Sequence, residues 1–105
     1  MIISTWNVNS IKVRLPNVLQ YLSQYSPDVL VLQETKSIDE NFPEAAISEA
    51  GYYSSFCGQK TYNGVAILSK DEPSEIIKNP VFLDKDEMRS LYIKYNGVGI
   101  LNVYV

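Results

Sequence analysis

Histidine is absent from the chain. No hydrolase that relies on an imidazole general base can be assembled from these residues alone. Cys57 is the single cysteine, which excludes an internal disulfide and makes a reducing, cytoplasmic setting the expectation. No apolar run approaches the ~20 residues that a membrane-spanning helix needs. The opening "MIISTWNVNS" has neither a basic leader nor a long apolar core, so no signal peptide and no membrane partner are expected. Excess positive charge is missing too: the net charge is −3. That argues against a protein that simply coats nucleic acid, but leaves room for an enzyme whose bound metal supplies local positive charge. Repeats, low-complexity tracts and linkers are also lacking.

What remains is 105 residues, 46% hydrophobic and 20% charged, enough for one small folded domain. "IISTW" (2–6) reads as a short strand ending at the polar cluster Asn7, Asn9 and Ser10. Leu15, Val18, Leu19 and Leu22 follow the i, i+3, i+4, i+7 spacing of an amphipathic helix. Pro16 suits the first turn of that helix, where a missing N–H costs little. Pro27 separates it from a strand at 28–33. Strand, helix, strand in so short a span predicts a βαβ-like unit with neighbouring parallel strands. "NFPEAAISEAG" predicts a second, short helix stopped by Gly51. Five strands then follow: "YYSSF", "GVAILSK", "SEIIK", "SLYIKY" and "VGILNVYV". Asn96-Gly97 between the last two is a type I′ hairpin signal, since both positions of that turn need positive φ. The second half is therefore expected to be antiparallel. The chain stops inside an apolar strand pattern, which is the expectation for a truncated domain.

Polar groups mark three strand ends: Asn7, then Glu34 in "DVLVLQETK", then Asn102 and Tyr104. Strand ends of α/β sheets are where loops converge on a crevice. A lone glutamate with an asparagine nearby suits Mg²⁺, which takes one or two carboxylates plus water and phosphate oxygens. Lys12, Arg14, Lys36 and Lys60 lie in adjoining loops and could hold a phosphodiester. Each residue also has an ordinary reading. Glu34 could be a surface carboxylate, Asn7 a turn former and Tyr104 a packing tyrosine. Lys12 and Arg14 could be solvated flanks of a helix, and "QKTYNGVA" a turn into a strand.

Taken together, "TWNVNSIKVRLPNVLQYL", "PDVLVLQETK", "GQKTYNGVAILSK" and "LNVYV" resemble the exonuclease III family of DNA-repair nucleases. That family lies within the endonuclease/exonuclease/phosphatase superfamily, and the likeness runs from Met1 to Val105. The resemblance implies the N-terminal half of a four-layer, DNase I-like α/β sandwich, with a mixed sheet and helices on one face. It implies Mg²⁺- or Mn²⁺-dependent phosphodiester hydrolysis of duplex DNA, as 3′→5′ exonuclease at 3′ ends and as apurinic/apyrimidinic endonuclease at abasic sites. By position, Glu34 matches the family's metal-binding glutamate and Asn7 the asparagine beside it. Tyr104 matches the active-site tyrosine that approaches the scissile phosphate. Arg89, Tyr62 and Lys12 match DNA-contacting positions. Asn9 stands where some members have an aspartate, and Lys36 is placed to tune Glu34 electrostatically.

Family members continue into a second half that carries a water-orienting Asp/Asn pair, further acidic ligands and an Asp-His pair. None of these exists here. Residues 1–105 are thus expected to be the first part of a single domain, inactive alone and in need of the missing half as partner. Without that half's sheet, an apolar inner sheet face is expected to lie exposed, with poor solubility. Two alternatives stand beside this reading: a superfamily phosphodiesterase for another substrate, such as RNA or phosphoinositides, and a non-catalytic orphan half-domain.

Overall fold

The chain enters as strand β1 (Ile3–Asn7), crosses over through helix α1 (Ile11–Tyr25) and returns as β2 (Val29–Gln33) in the computed structural model, which describes residues 1–81 and 87–105. β1 and β2 pair in parallel from Ile3 opposite Val29 to Asn7 opposite Gln33. Their carboxyl ends therefore emerge side by side. Next come a 3₁₀ turn at Asp39–Asn41, helix α2 (Glu44–Glu49) and strands β3 (Tyr53–Cys57) and β4 (Val65–Ser69). β4 inserts between β2 and β3, antiparallel to both, giving a four-stranded mixed sheet in the order β1-β2-β4-β3. β5 (Glu75–Lys78), β6 (Ser90–Tyr95) and β7 (Val98–Val103) form a second, antiparallel sheet.

Period-two alternation in β2 and β4 builds the layers. Leu30, Leu32, Ala66 and Leu68 face the helices and pack with Ile11, Val18, Leu22 and Ile47. Val29, Val31, Val65 and Ile67 face the other way, against Leu91, Ile93, Tyr95 and Ile100 of the second sheet. Both faces of β2 are covered, which is why "VLVL" is continuously apolar. Helices, sheet and sheet make three layers, with the helices on one face as expected.

Two expectations are corrected. Pro16 is not in the first turn: Ser10 caps α1 through its side chain on the Val13 N–H, so Pro16 is the sixth helical residue. It lies on the exposed side of the helix, where the Lys12 carbonyl that loses its intrahelical donor is open to water. The inner sheet face is not bare either. This chain supplies its own facing sheet, because β5–β7 fold back onto β2 and β4. The exposed apolar sheet face is instead the outward one of the second sheet, where Ile77 of β5 and Leu101 and Val103 of β7 share one side; Met1, Ile2 and Ile3 are exposed along the β1 edge. The hairpin follows its signal, with φ of +49° at Asn96 and +81° at Gly97.

Candidate active site

Glu34 follows the last residue of β2 and takes a left-handed φ of +54°. That turn aims its side chain across the parallel ends of β1 and β2. Asn7 Nδ2 donates to Glu34 Oε1 at 3.0 Å and the Tyr104 hydroxyl donates to the same oxygen at 2.8 Å. The second oxygen, Oε2, faces Lys36 Nζ at 3.6 Å, and Lys36 also donates to Asn9 Oδ1. Asn9 and Lys36 share the left-handed backbone, with φ of +46° and +52°. Three strained non-glycine residues within one cluster mark a site held by its surroundings.

Backbone bonds fasten the loops that carry these side chains. The Ser10 and Ile11 N–H groups donate to the carbonyls of Glu34 and Thr35 at 2.8 and 2.9 Å. From the other side, Thr35 and Lys36 N–H groups donate to the Gly64 and Asn63 carbonyls, each at 3.0 Å. The β1–α1 loop and the Tyr62 loop are thus both tied to the Glu34 turn.

Tyr104 reaches Glu34 because the second sheet is bolted to the first. Asn102, 2% exposed, donates through Nδ2 to the Leu32 carbonyl at 2.8 Å and the Ala66 carbonyl at 3.0 Å. Its Oδ1 accepts from Gln33 Nε2 at 3.0 Å. Asn102 is therefore structural, two residues before Tyr104. The Tyr104 N–H extends the β6–β7 ladder to the Arg89 carbonyl at 2.8 Å, which puts the Arg89 guanidinium over the Tyr104 ring, 5.1 Å from its centroid.

Electrostatics follow from these contacts. Hydrogen bonds from Asn7 and then Tyr104, with the Lys36 charge behind them, hold the Glu34 carboxyl below its ordinary value of 4.5 against a smaller opposing effect of burial. The same bond to Glu34 pushes the Tyr104 phenol up, because an ionised phenol could not donate it. Arg89 is pushed up chiefly by its hydrogen bond to Glu87.

Glu34, Lys36, Tyr62, Arg89 and Tyr104 line one crevice of about 320 Å³. Lys12 is not in it. It lines a neighbouring recess of about 700 Å³ with Lys36 and Lys60, so Lys36 forms the wall between the two. Gln59 and Glu87 also line the crevice, and sequence reading missed both. Gln59 Oε1 accepts from Asn63 Nδ2 and from the Met88 N–H, each at 3.0 Å, pinning the Tyr62 loop to the start of β6. No local pattern signals such a contact.

The sequence profile described as the Endonuclease/Exonuclease/phosphatase family matches residues 4–105. The chain belongs to this family. This family member is 39% identical over 106 residues to an exodeoxyribonuclease III of Haemophilus influenzae, a match that covers 95% of this chain and 39% of that protein. Its fold superposes on an AP endonuclease from Archaeoglobus fulgidus with a TM-score of 0.94 at 42% identity, covering 100% of this chain and 41% of that one. A 3′ phosphatase from Neisseria, solved bound to a product DNA hairpin, gives 0.94 at 45% identity, covering 99% and 41%. The α/β architecture and the resemblance to exonuclease III and AP endonucleases hold. The chain spans about two fifths of the length of these relatives.

Nucleases of this family are divalent-metal dependent. Among the described residues no group of three or more His, Cys, Asp or Glu side chains comes together to hold a metal ion. Glu34 brings a carboxylate to the crevice; Asn7 stands beside it, donating to it through Nδ2 while its Oδ1 accepts from the Asn9 N–H at 3.2 Å. A single carboxylate fits a divalent cation that keeps several waters and takes further ligands from elsewhere, and does not fit a closed protein cage. No helix among the described residues is long and apolar enough to cross a membrane.

Proposed function

We propose that the protein is a DNA-repair phosphodiesterase of the exonuclease III type, cleaving duplex DNA at abasic sites and removing nucleotides or blocking groups from 3′ ends. One observation carries the reading: Glu34, Asn7 and Tyr104 come from three separate strand ends, yet meet on a single carboxylate oxygen. A packing tyrosine and a turn asparagine would have no reason to share it.

In this reading Glu34 and Asn7 hold Mg²⁺ or Mn²⁺. When bound, the metal stabilises charge that develops on the phosphate and the leaving oxygen. Glu34 is kept ionised by its two donors, and so is ready as a ligand across the neutral range. Tyr104, whose raised pKa keeps its proton, polarises a phosphate oxygen as a neutral donor. Lys12 and Arg89 position backbone phosphates, and exposed Tyr62 reaches into a groove. Lys36 keeps the Glu34 turn in register through Asn9. We assign the remaining metal ligands and the group that orients the attacking water to parts of the relatives' length that this chain does not span. Residues 1–105 alone are then inactive, and act as part of one larger domain. The single cysteine, buried in the second core cluster, is consistent with work in the cytoplasm.

The test is cleavage of a duplex with one abasic site by the native gene product. Cleavage is expected with Mg²⁺ and not with EDTA. Glu34→Gln is expected to lower the rate by at least about 10²-fold, and Tyr104→Phe by a similar factor, the usual scale for losing one oriented group at developing charge. Full activity in Glu34→Gln, or equal activity with and without EDTA, would overturn the assignment. An intact duplex in every condition would move the substrate elsewhere in the superfamily.

A further inference from the structure

Among the described residues of the crevice Glu87 is a second carboxylate, and its partner is Arg89. Its Oε2 accepts from Arg89 Nε at 2.8 Å. The same guanidinium lies against the Tyr104 ring and donates through Nη1 to the Val105 carbonyl at 3.1 Å. Among the described charged residues lining the crevice, Glu34 and Glu87 offset Lys36 and Arg89, so these four side chains present a phosphate with no net positive charge. Phosphate oxygens and carboxylate oxygens seek the same planar N–H edge of a guanidinium. An arginine already engaged by its own carboxylate cannot offer that edge until the carboxylate leaves. Leaving is easy, because the Arg89 and Glu87 side chains are 34% and 41% exposed and Glu87 can turn into water.

We propose that Glu87 is an internal competitor for a nucleic-acid phosphate on Arg89. Its carboxylate occupies the Nε edge when no DNA is bound, and a backbone phosphate displaces it. The inference rests on the reading of this protein as a DNA phosphodiesterase. Glu87 then weakens every phosphodiester contact at this position, whatever the base sequence, and hastens release of cut product. A carboxylate that merely oriented Arg89 for its phosphate would do the opposite, since its removal would weaken binding.

The experiment measures equilibrium binding of the native gene product to a labelled abasic duplex in EDTA, for wild type, Glu87→Gln, Arg89→Ala and the double variant. Glu87→Gln is expected to bind about threefold tighter, the scale of one exposed charge pair. Its log K is expected to fall more steeply with log salt, by up to about 0.9, because Arg89 then meets the phosphate without a carboxylate leaving in exchange. The gain is expected to vanish when Arg89→Ala is also present. Weaker or unchanged binding in Glu87→Gln, or a gain that survives Arg89→Ala, overturns the competitor role while leaving the DNA reading intact. A wild-type protein that binds no duplex overturns the DNA reading itself.

Discussion

Replacing Asn102 probes how the second sheet delivers Tyr104 to Glu34. In Asn102→Ala the Leu32 and Ala66 carbonyls lose donors at 2.8 and 3.0 Å in a site that is 2% exposed. A buried polar group left without its partner costs about 1–3 kcal/mol. Gln33 is less affected, because its Nε2 also donates to Thr5 Oγ1 at 3.0 Å. Both carbonyls keep their β2–β4 ladder partners, since Leu32 and Ala66 lie opposite each other in that pairing, so the expected loss is about 1–3 kcal/mol, read as a lower urea midpoint with an unchanged slope. Asn102→Asp is the sharper variant. An ionised carboxylate would face two carbonyl oxygens, so the folded state favours its protonated form and raises its pKa above the unfolded value of about 3.9. The penalty is then smallest below that pKa and grows as pH rises through it, because the unfolded state ionises freely and the folded state does not. Stability of Asn102→Asp relative to Asn102→Ala should thus improve on acidification from neutral pH to about pH 4. Near-wild-type stability in Asn102→Ala, or a deficit in Asn102→Asp that does not depend on pH, would refute this account of the inter-sheet bolt.

Other consequences follow from single contacts. Gly64→Ala drives a Cβ into Thr35 Oγ1 on a backbone with φ of +86°, beside the Glu34 turn; a loss of about 1–3 kcal/mol in thermal unfolding is expected. Pro16→Ala restores an N–H within α1 and is expected to raise stability by about 1–3 kcal/mol, visible as a higher melting temperature. Asn7→Ala removes the largest cause of the lowered Glu34 pKa. Because that pKa lies lower in the folded state, its stabilising effect is present above 4.5 and lost as pH falls through the folded value. The Glu34 carboxyl resonance of Asn7→Ala should therefore titrate at higher pH than in wild type.

How far the residues alone carry depends on the range of the interaction. "VLVLQ" announces a strand covered on both faces, since each side chain reports its own burial. Asn96-Gly97 announces its hairpin because the turn's φ requirement is local. Glu34, Asn7 and Tyr104 could be nominated from strand ends and family likeness, but their meeting on one oxygen is a tertiary fact. Pro16 was misplaced because a capping serine five residues before the first apolar repeat position outweighed the usual proline preference. The self-supplied second sheet was missed because strand order is not written in periodicity. Asn102 looked like a site residue at a strand end, yet its neighbours across the sheets make it a fastener. Glu87 and Gln59 are near Arg89 and Asn63 in sequence, but only the fold shows that these pairs line the same crevice as Glu34.

The most direct test of the central claim is the position of the Mn²⁺ anomalous peak in crystals of the native gene product soaked with that ion. The account predicts a peak about 2.1 Å from a Glu34 carboxylate oxygen, in the crevice that Glu34 shares with Tyr104, and no such peak in Glu34→Gln. A bound metal that sits elsewhere, or stays in place in Glu34→Gln, would contradict it.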